Sequence, residues 1–129
     1  MKLKELLSAK PVIAKHLNDS IPARLAYKFF KLAKKIDENE EFYRAKITAL
    51  LNECAEKDAN GKYVENAAGF KLKPDKLEEW KNGKDEIENI EVEVAESFSI
   101  TELAPLNLSV QDIINIQNLI QEDDNGRNY

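Results

Sequence analysis

Four cations stand at regular spacing in one stretch of this chain. Arg24, Lys28, Lys31 and Lys35 are separated by steps of 4, 3 and 4 within "SIPARLAYKFFKLAKKIDENEE". At about 100° per residue those steps place them on one helical face, beside a second face made of Leu25, Phe29, Leu32 and Ile36. A coherent basic ridge suits phosphate chemistry, because each Lys or Arg neutralises a backbone phosphate and releases its counterions. The plainer reading is a solvated flank whose lysine stems cover the edge of an apolar seam. Neither a glycine-rich phosphate loop nor a recognisable nucleic-acid motif accompanies the ridge. The seam continues past the basic part into acids, which argues against a helix lying on a membrane surface.

The carboxylates offer less. Asp37, Glu38, Glu40 and Glu41 crowd into five residues, but without the ligand pattern and bend glycine of a calcium loop. Glu91 and Glu93 alternate with Ile90, Val92 and Val94, which reads as one acidic face and one apolar face of a strand. General acid–base work would need such carboxylates in a pocket that shifts their pKa values, and nothing local builds one. His16 lies near Ile13 and Leu17 with no Ser or Asp of a catalytic motif, so it reads as structural. Cys54 falls on the apolar seam, where a thiol behaves as a small hydrophobe. One cysteine and one histidine exclude an internal disulfide, a multi-cysteine zinc site and paired-histidine metal motifs. No Walker motif, dinucleotide fingerprint or nucleophile elbow occurs. The expectation is a protein that is not an enzyme, with no catalytic residue, cofactor or metal.

The elements that must position these side chains are mainly helical. Four Gly and four Pro in 129 residues disfavour an all-β chain, and the length suits a single domain over residues 1–122. Residues 2–8 form a short helix, and "SAKPVIAKHLND" a second with Ser8 as cap and Pro11 in its first turn. From Pro22 to Glu56 there is no Gly and no further Pro. The apolar steps through Leu25, Phe29, Leu32, Ile36, Tyr43, Ile47, Leu50 and Cys54 are mostly threes and fours, predicting one long helix of roughly 50 Å or a helical hairpin over 1–58.

A small α/β part follows over 59–108. Asn60-Gly61 ends the helix, and "GKYVENAAGFKLK" gives two short strands around Asn66–Gly69. "PDKLEEWKNG" predicts a helix closed by Gly83, with Leu77 and Trp80 on its buried side. "NIEVEVAES" is the clearest strand, making about three in an antiparallel sheet, and Phe98 with Ile100 reads as further core. Residues 109–122 form a last helix capped by Ser109 with Asp112 three residues on, its apolar side (Val110, Ile113, Ile114, Ile116, Ile120) needing cover; 123–129 is a flexible tail. The fold class expected is α+β, mainly α.

Charge is uneven. Residues 1–36 hold nine Lys/Arg against two acids, a net +7, and the remaining 93 residues hold 10 against 22, a net −12. This division reads either as an interaction surface or as two regions that neutralise each other within the fold. No apolar run approaches a transmembrane length and the N-terminus lacks a signal-peptide core, so no membrane partner is expected.

The order "KPVIAKHLND", "IPARLAYKFFKLAKKIDENEEF", "DANGKY", "WKNGKDEIENIEVEV" and "LAPLNLSVQDIINI" resembles a family of small proteins of tailed phages and prophages of Gram-positive bacteria. The likeness is one of pattern over nearly the whole chain, and none of its motifs is catalytic. The family has no assigned activity, so no residue acquires a role from it. The resemblance implies a setting, the host cytoplasm or the virion.

Two functions are therefore expected from different classes. One is an interaction or assembly protein, a homo-oligomer or a partner of another phage or host protein, in which Leu25, Phe29, Leu32 and Ile36 help bury the seam against the final helix or a second subunit. The other is a nucleic-acid-associated or anti-defence module using the Arg24/Lys28/Lys31/Lys35 ridge or the acidic strand region.

Overall fold

The computed structural model describes residues 1–67 and 69–121; Glu122 and the tail expected at 123–129 lie outside them. The fold is α+β and mainly α. Among the described residues its helices are α1 (Leu3–Ser8), α2 (Lys10–Lys15), α3 (Ala23–Cys54), α4 (Leu77–Glu88), α5 (Ile100–Leu103) and α6 (Val110–Ile116). Four two-residue strands accompany them: β1 (Glu65–Asn66), β2 (Gly69–Phe70), β3 (Phe98–Ser99) and β4 (Ile120–Gln121). The predicted long helix is present over 32 residues and runs without a break through Asp37–Glu41. The chain divides into two compact units, residues 1–40 with 91–129 and residues 41–90, so the divisions fall inside α3 and after Ile90 rather than at 58 and 108.

The first unit holds the main core. Leu6, Ala9, Val12 and Ile13 from the α1–α2 segment pack with Leu25, Phe29, Leu32 and Ile36 of α3 and with Phe98, Leu103, Leu106, Ile116 and Leu119. The α3 residues in that set are the ones its 4, 3, 4 spacing predicts, and all are buried. Two capping boxes fix the short helices. Ser99 and Glu102 exchange side-chain and backbone hydrogen bonds at the start of α5, and Ser109 with Asp112 does the same for α6.

Ser8, expected as the cap of α2, instead ends α1 and donates from Oγ to the carbonyls of Glu5 and Asn115 at 2.6 and 2.8 Å. The final helix is also shorter than expected, passing through a 3-10 turn (Gln117–Leu119) into β4. That strand pairs in parallel with β3, setting Phe98 beside Ile120. Val110 and Ile114 of α6 are exposed, as is Ile100, so the core takes Phe98 and Ile116 but leaves those three out.

"NIEVEVAES" does not form the expected strand. Only Lys2 bridges to it, at Glu91, while the Met1 terminus and carbonyl bond Val92. The alternation is nonetheless real as burial: Val92 and Val94 are half-buried against the core, and Glu91 and Glu93 face solvent. Period two reports which side chains turn inward; a ladder also needs a neighbouring chain, and beyond Val92 none among the described residues is hydrogen-bonded here. The sheet content of the described residues is thus two separate strand pairs, one antiparallel and one parallel, in place of about three antiparallel strands.

In the second unit, β1 and β2 form the predicted hairpin, with Glu65 opposite Phe70 and Asn66 opposite Gly69. Gly69 has φ +116°, a conformation that its lack of a Cβ permits. Pro74–Lys76 makes a 3-10 turn that leads into α4. Gly83 does not close that helix; α4 passes through it to Glu88. A Cβ there would lie 2.9 Å from both terminal methyls of Leu50, so the residue serves close packing rather than termination. Leu77 is exposed and Trp80 only half-buried, so this helix covers less than its sequence suggests. Gly83→Ala gains helix propensity of about 1 kcal/mol but forces the Leu50 methyls to rotate, at about 0.5–1.5 kcal/mol. The expected result in thermal unfolding is a change within about 0.5 kcal/mol, whereas Gly83→Leu overpacks the contact and loses about 1–3 kcal/mol.

Candidate functional site

The structure separates the eight residues singled out from sequence. Leu25, Phe29, Leu32 and Ile36 are core side chains of the first unit and present nothing to a partner. Of the two covers expected for this part of the seam, the final helix and a second subunit, it is the first unit's own α1, α2 and 98–119 segments, Ile116 of α6 among them, that pack on these four residues. The four cations differ among themselves. Lys28 Nζ donates to Glu102 at 2.7 and 2.9 Å and to the Ser97 carbonyl at 2.8 Å, and lies 5.5 Å from the Phe98 ring centroid. Lys31 sits 3.5 Å from Glu96 and 5.5 Å from the Tyr27 ring. Lys35 is half-buried and, with Lys31, Lys34, Glu38, Glu93 and Glu96, lines an open groove of about 390 Å³. Arg24 is exposed and makes no ion pair among the described residues. Two of the four ridge cations are therefore already matched to carboxylates, which weakens a continuous phosphate track.

The same pairing explains the uneven charge. Lys10 meets Glu40 at 2.6 Å, Lys15 meets Asp112 at 2.8 Å, and the N-terminal ammonium meets Glu91 at 3.4 Å. With Lys28–Glu102 and Lys31–Glu96, five ion pairs join cations of the first 36 residues to acids beyond them, all within the first unit. These pairs hold Glu102 and Asp112 below the ordinary carboxylate range. For Glu102 the Lys28 hydrogen bond is the leading cause, opposed by partial desolvation; for Asp112 it is the Lys15 hydrogen bond, followed by the Ser109 backbone N–H.

His16 and Cys54 are built into the interior. His16 is buried, its Nδ1 2.6 Å from Asp19 Oδ2. Its Nε2 is buried with no hydrogen-bond partner among the described residues. Cys54 is fully buried, and burial first, then Glu79 and Glu53, raises its thiol pKa, the reverse of what a nucleophile needs. No group of three metal-liganding side chains and no helix long and apolar enough to cross a membrane occurs among the described residues.

What α3 does present is on its other side. Tyr27 and Phe30 are 62% and 60% exposed and stack on each other, with ring centroids 6.1 Å apart and planes 21° apart. They project away from the buried Leu25–Ile36 seam, with Ala23, Arg24, Ala26 and Lys34 exposed around them. Both lie inside the "LAYKFFKLAKK" stretch, yet sequence reasoning missed them, because the dominant periodicity there belongs to the core. The signal that could have found them is a second aromatic pair at a step of three, offset from the seam by about half a helical turn. No protein family, curated protein or solved structure matches the chain.

Proposed function

We propose that this chain is a non-enzymatic interaction or assembly protein that works through the solvent face of the N-terminal half of α3, in the phage or prophage setting its sequence resemblance implies. The observation that carries this reading is the exposed, stacked Tyr27–Phe30 pair on a helix whose opposite side is already filled by core. Large aromatic side chains held in one geometry by a rigid helix supply anchor area at low entropic cost, and Tyr, Phe and Arg are enriched at the centres of interfaces.

The nucleic-acid reading keeps Arg24 and Lys35 of its ridge. Light scattering behind size exclusion at low and high salt, with and without a short DNA duplex, separates the two. Association that persists at high salt and ignores DNA supports the interaction reading. A chain that binds duplex at low salt and releases it steeply as salt rises overturns it.

A further inference from the structure

The aromatic pair does not stand alone on its face. Arg24 is exposed before it, Lys31 and Lys34 are exposed within about a turn after it, and Asp37 and Glu38 are exposed beyond them; every one of these residues lies in the first unit. Arg24, Lys34, Asp37 and Glu38 are engaged in no ion pair among the described residues. Along roughly 20 Å of the outward face of α3 from Ala23 to Glu38, the order is therefore a cation (Arg24), the aromatic pair, two further cations (Lys31 and Lys34) and two acids (Asp37 and Glu38). Laid parallel, two such faces would set like charge on like. Laid antiparallel with Arg24 opposite Glu38, each end pairs a cation with an acid, and the two Phe30 rings meet near the axis beside Lys31 of each copy.

We infer that the occupant of this face is a second copy of this chain, docked antiparallel along Ala23–Glu38 about a two-fold axis. The inference rests on the reading that the face is an interaction surface, and it names the partner. A two-fold interface is self-complementary, so one contact is made twice: Arg24 of each copy faces Glu38 of the other, on the same flank of the pair. In that register Phe30 of each copy packs near its counterpart, and Lys34 reaches the other copy's Tyr27, adding a cation–π contact to the one Lys31 makes with Tyr27 within its own copy. Four turns of one helix bury less than the ~800 Å² per partner of a standard interface, so the dimer is reversible and concentration-dependent. Opposed helix dipoles favour the same orientation.

The test is sedimentation equilibrium of the full chain from the low micromolar to the millimolar range, with thermal unfolding recorded for each variant to confirm that it folds. The wild type is expected to move from monomer to dimer across that range, and the Tyr27→Ser/Phe30→Ser variant to stay monomeric throughout. Arg24→Glu and Glu38→Arg each set like charges against one another and are expected to weaken the dimer about tenfold. Mixing those two variants in equal amounts restores it. In the mixed dimer the acid introduced by Arg24→Glu meets the base introduced by Glu38→Arg, and the native Arg24 and Glu38 that remain meet each other across the pair.

A wild type that stays monomeric at every concentration overturns the second-copy inference, and an acidic protein becomes the occupant to seek. A dimer lost on changing the aromatics but indifferent to both charge reversals overturns the antiparallel arrangement while leaving the interaction face standing. A dimer indifferent to the aromatic changes overturns the face itself, and the inference with it.

Discussion

Replacing Phe98 with alanine is expected to destabilise the first unit by about 3–5 kcal/mol, a large part of the stability a domain of this size has. Phe98 is 1% exposed and is the largest of the fully buried side chains. Its ring stands edge-on to Phe29, with centroids 5.5 Å apart and planes at 87°, the arrangement aromatic pairs prefer. Lys28 lies 5.5 Å from the same ring, and the Phe98 backbone forms half of the β3–β4 pairing with Ile120. Truncation opens a cavity at the junction of α3, the β3–β4 pair and α5, where backbone hydrogen bonds and a capping box resist collapse into the gap. Ile100→Ala provides the control, since that side chain is exposed and its loss is expected to change stability by less than about 0.5 kcal/mol. Urea unfolding followed by far-ultraviolet circular dichroism measures both. Trp80, the single tryptophan, belongs to the second unit, so its fluorescence follows that unit in the same titration. A Phe98→Ala cost below about 1 kcal/mol would contradict this account of the core.

The parts of this molecule legible from sequence are those in which one local pattern determines one local outcome. Leu25, Phe29, Leu32 and Ile36 are spaced for a helical stripe and are buried as one. Ser109 with Asp112 is a capping signature and caps α6. Asn66–Gly69 is a turn signature and joins β1 to β2.

What escaped depends on partners distant in sequence. The parallel β3–β4 contact joins Phe98 to Ile120 through two-residue strands too short to alternate. Gly83 carries the usual signal of a helix end, but the neighbour that decides its role is Leu50, 33 positions earlier. Ile90–Val94 has the period of a strand, but among the described residues only Met1 and Lys2 pair with it, at Val92 and Glu91. The candidate face was hidden for a different reason: Tyr27 and Phe30 read as part of an apolar run, and only the burial of the opposite stripe leaves them as a separate surface.

The second large effect follows from Glu102, where two roles converge on one carboxylate. It accepts from the Ser99 backbone N–H at 3.1 Å, which completes the capping box of α5, and it receives Lys28 at 2.7 and 2.9 Å. Loss of the bond from the Ser99 N–H, with the Ser99 Oγ cap itself kept, costs about 1 kcal/mol, and loss of a charge-assisted hydrogen bond in this half-exposed setting costs about another 1–2 kcal/mol. Glu102→Ala is therefore expected to lose about 2–3 kcal/mol at neutral pH, less if the two contributions overlap. The pH dependence has a definite sign. The folded carboxyl is held below its ordinary value of 4.5, chiefly by the Lys28 hydrogen bond. The unfolded chain thus binds the proton first as pH falls, so the stabilisation is full above about 4.5 and is lost as pH drops through the lower folded value. Asp112, held down by Lys15 and the Ser109 N–H, acts in the same direction. Urea unfolding of wild type, Glu102→Gln and the Glu102→Gln/Asp112→Asn pair between pH 7 and pH 3 measures this. The wild-type curve should fall most steeply below about pH 4.5, each substitution should flatten it, and the three should converge at the acid end. Curves that stay parallel across that range would mean that the two carboxylates are not what couples this fold to pH.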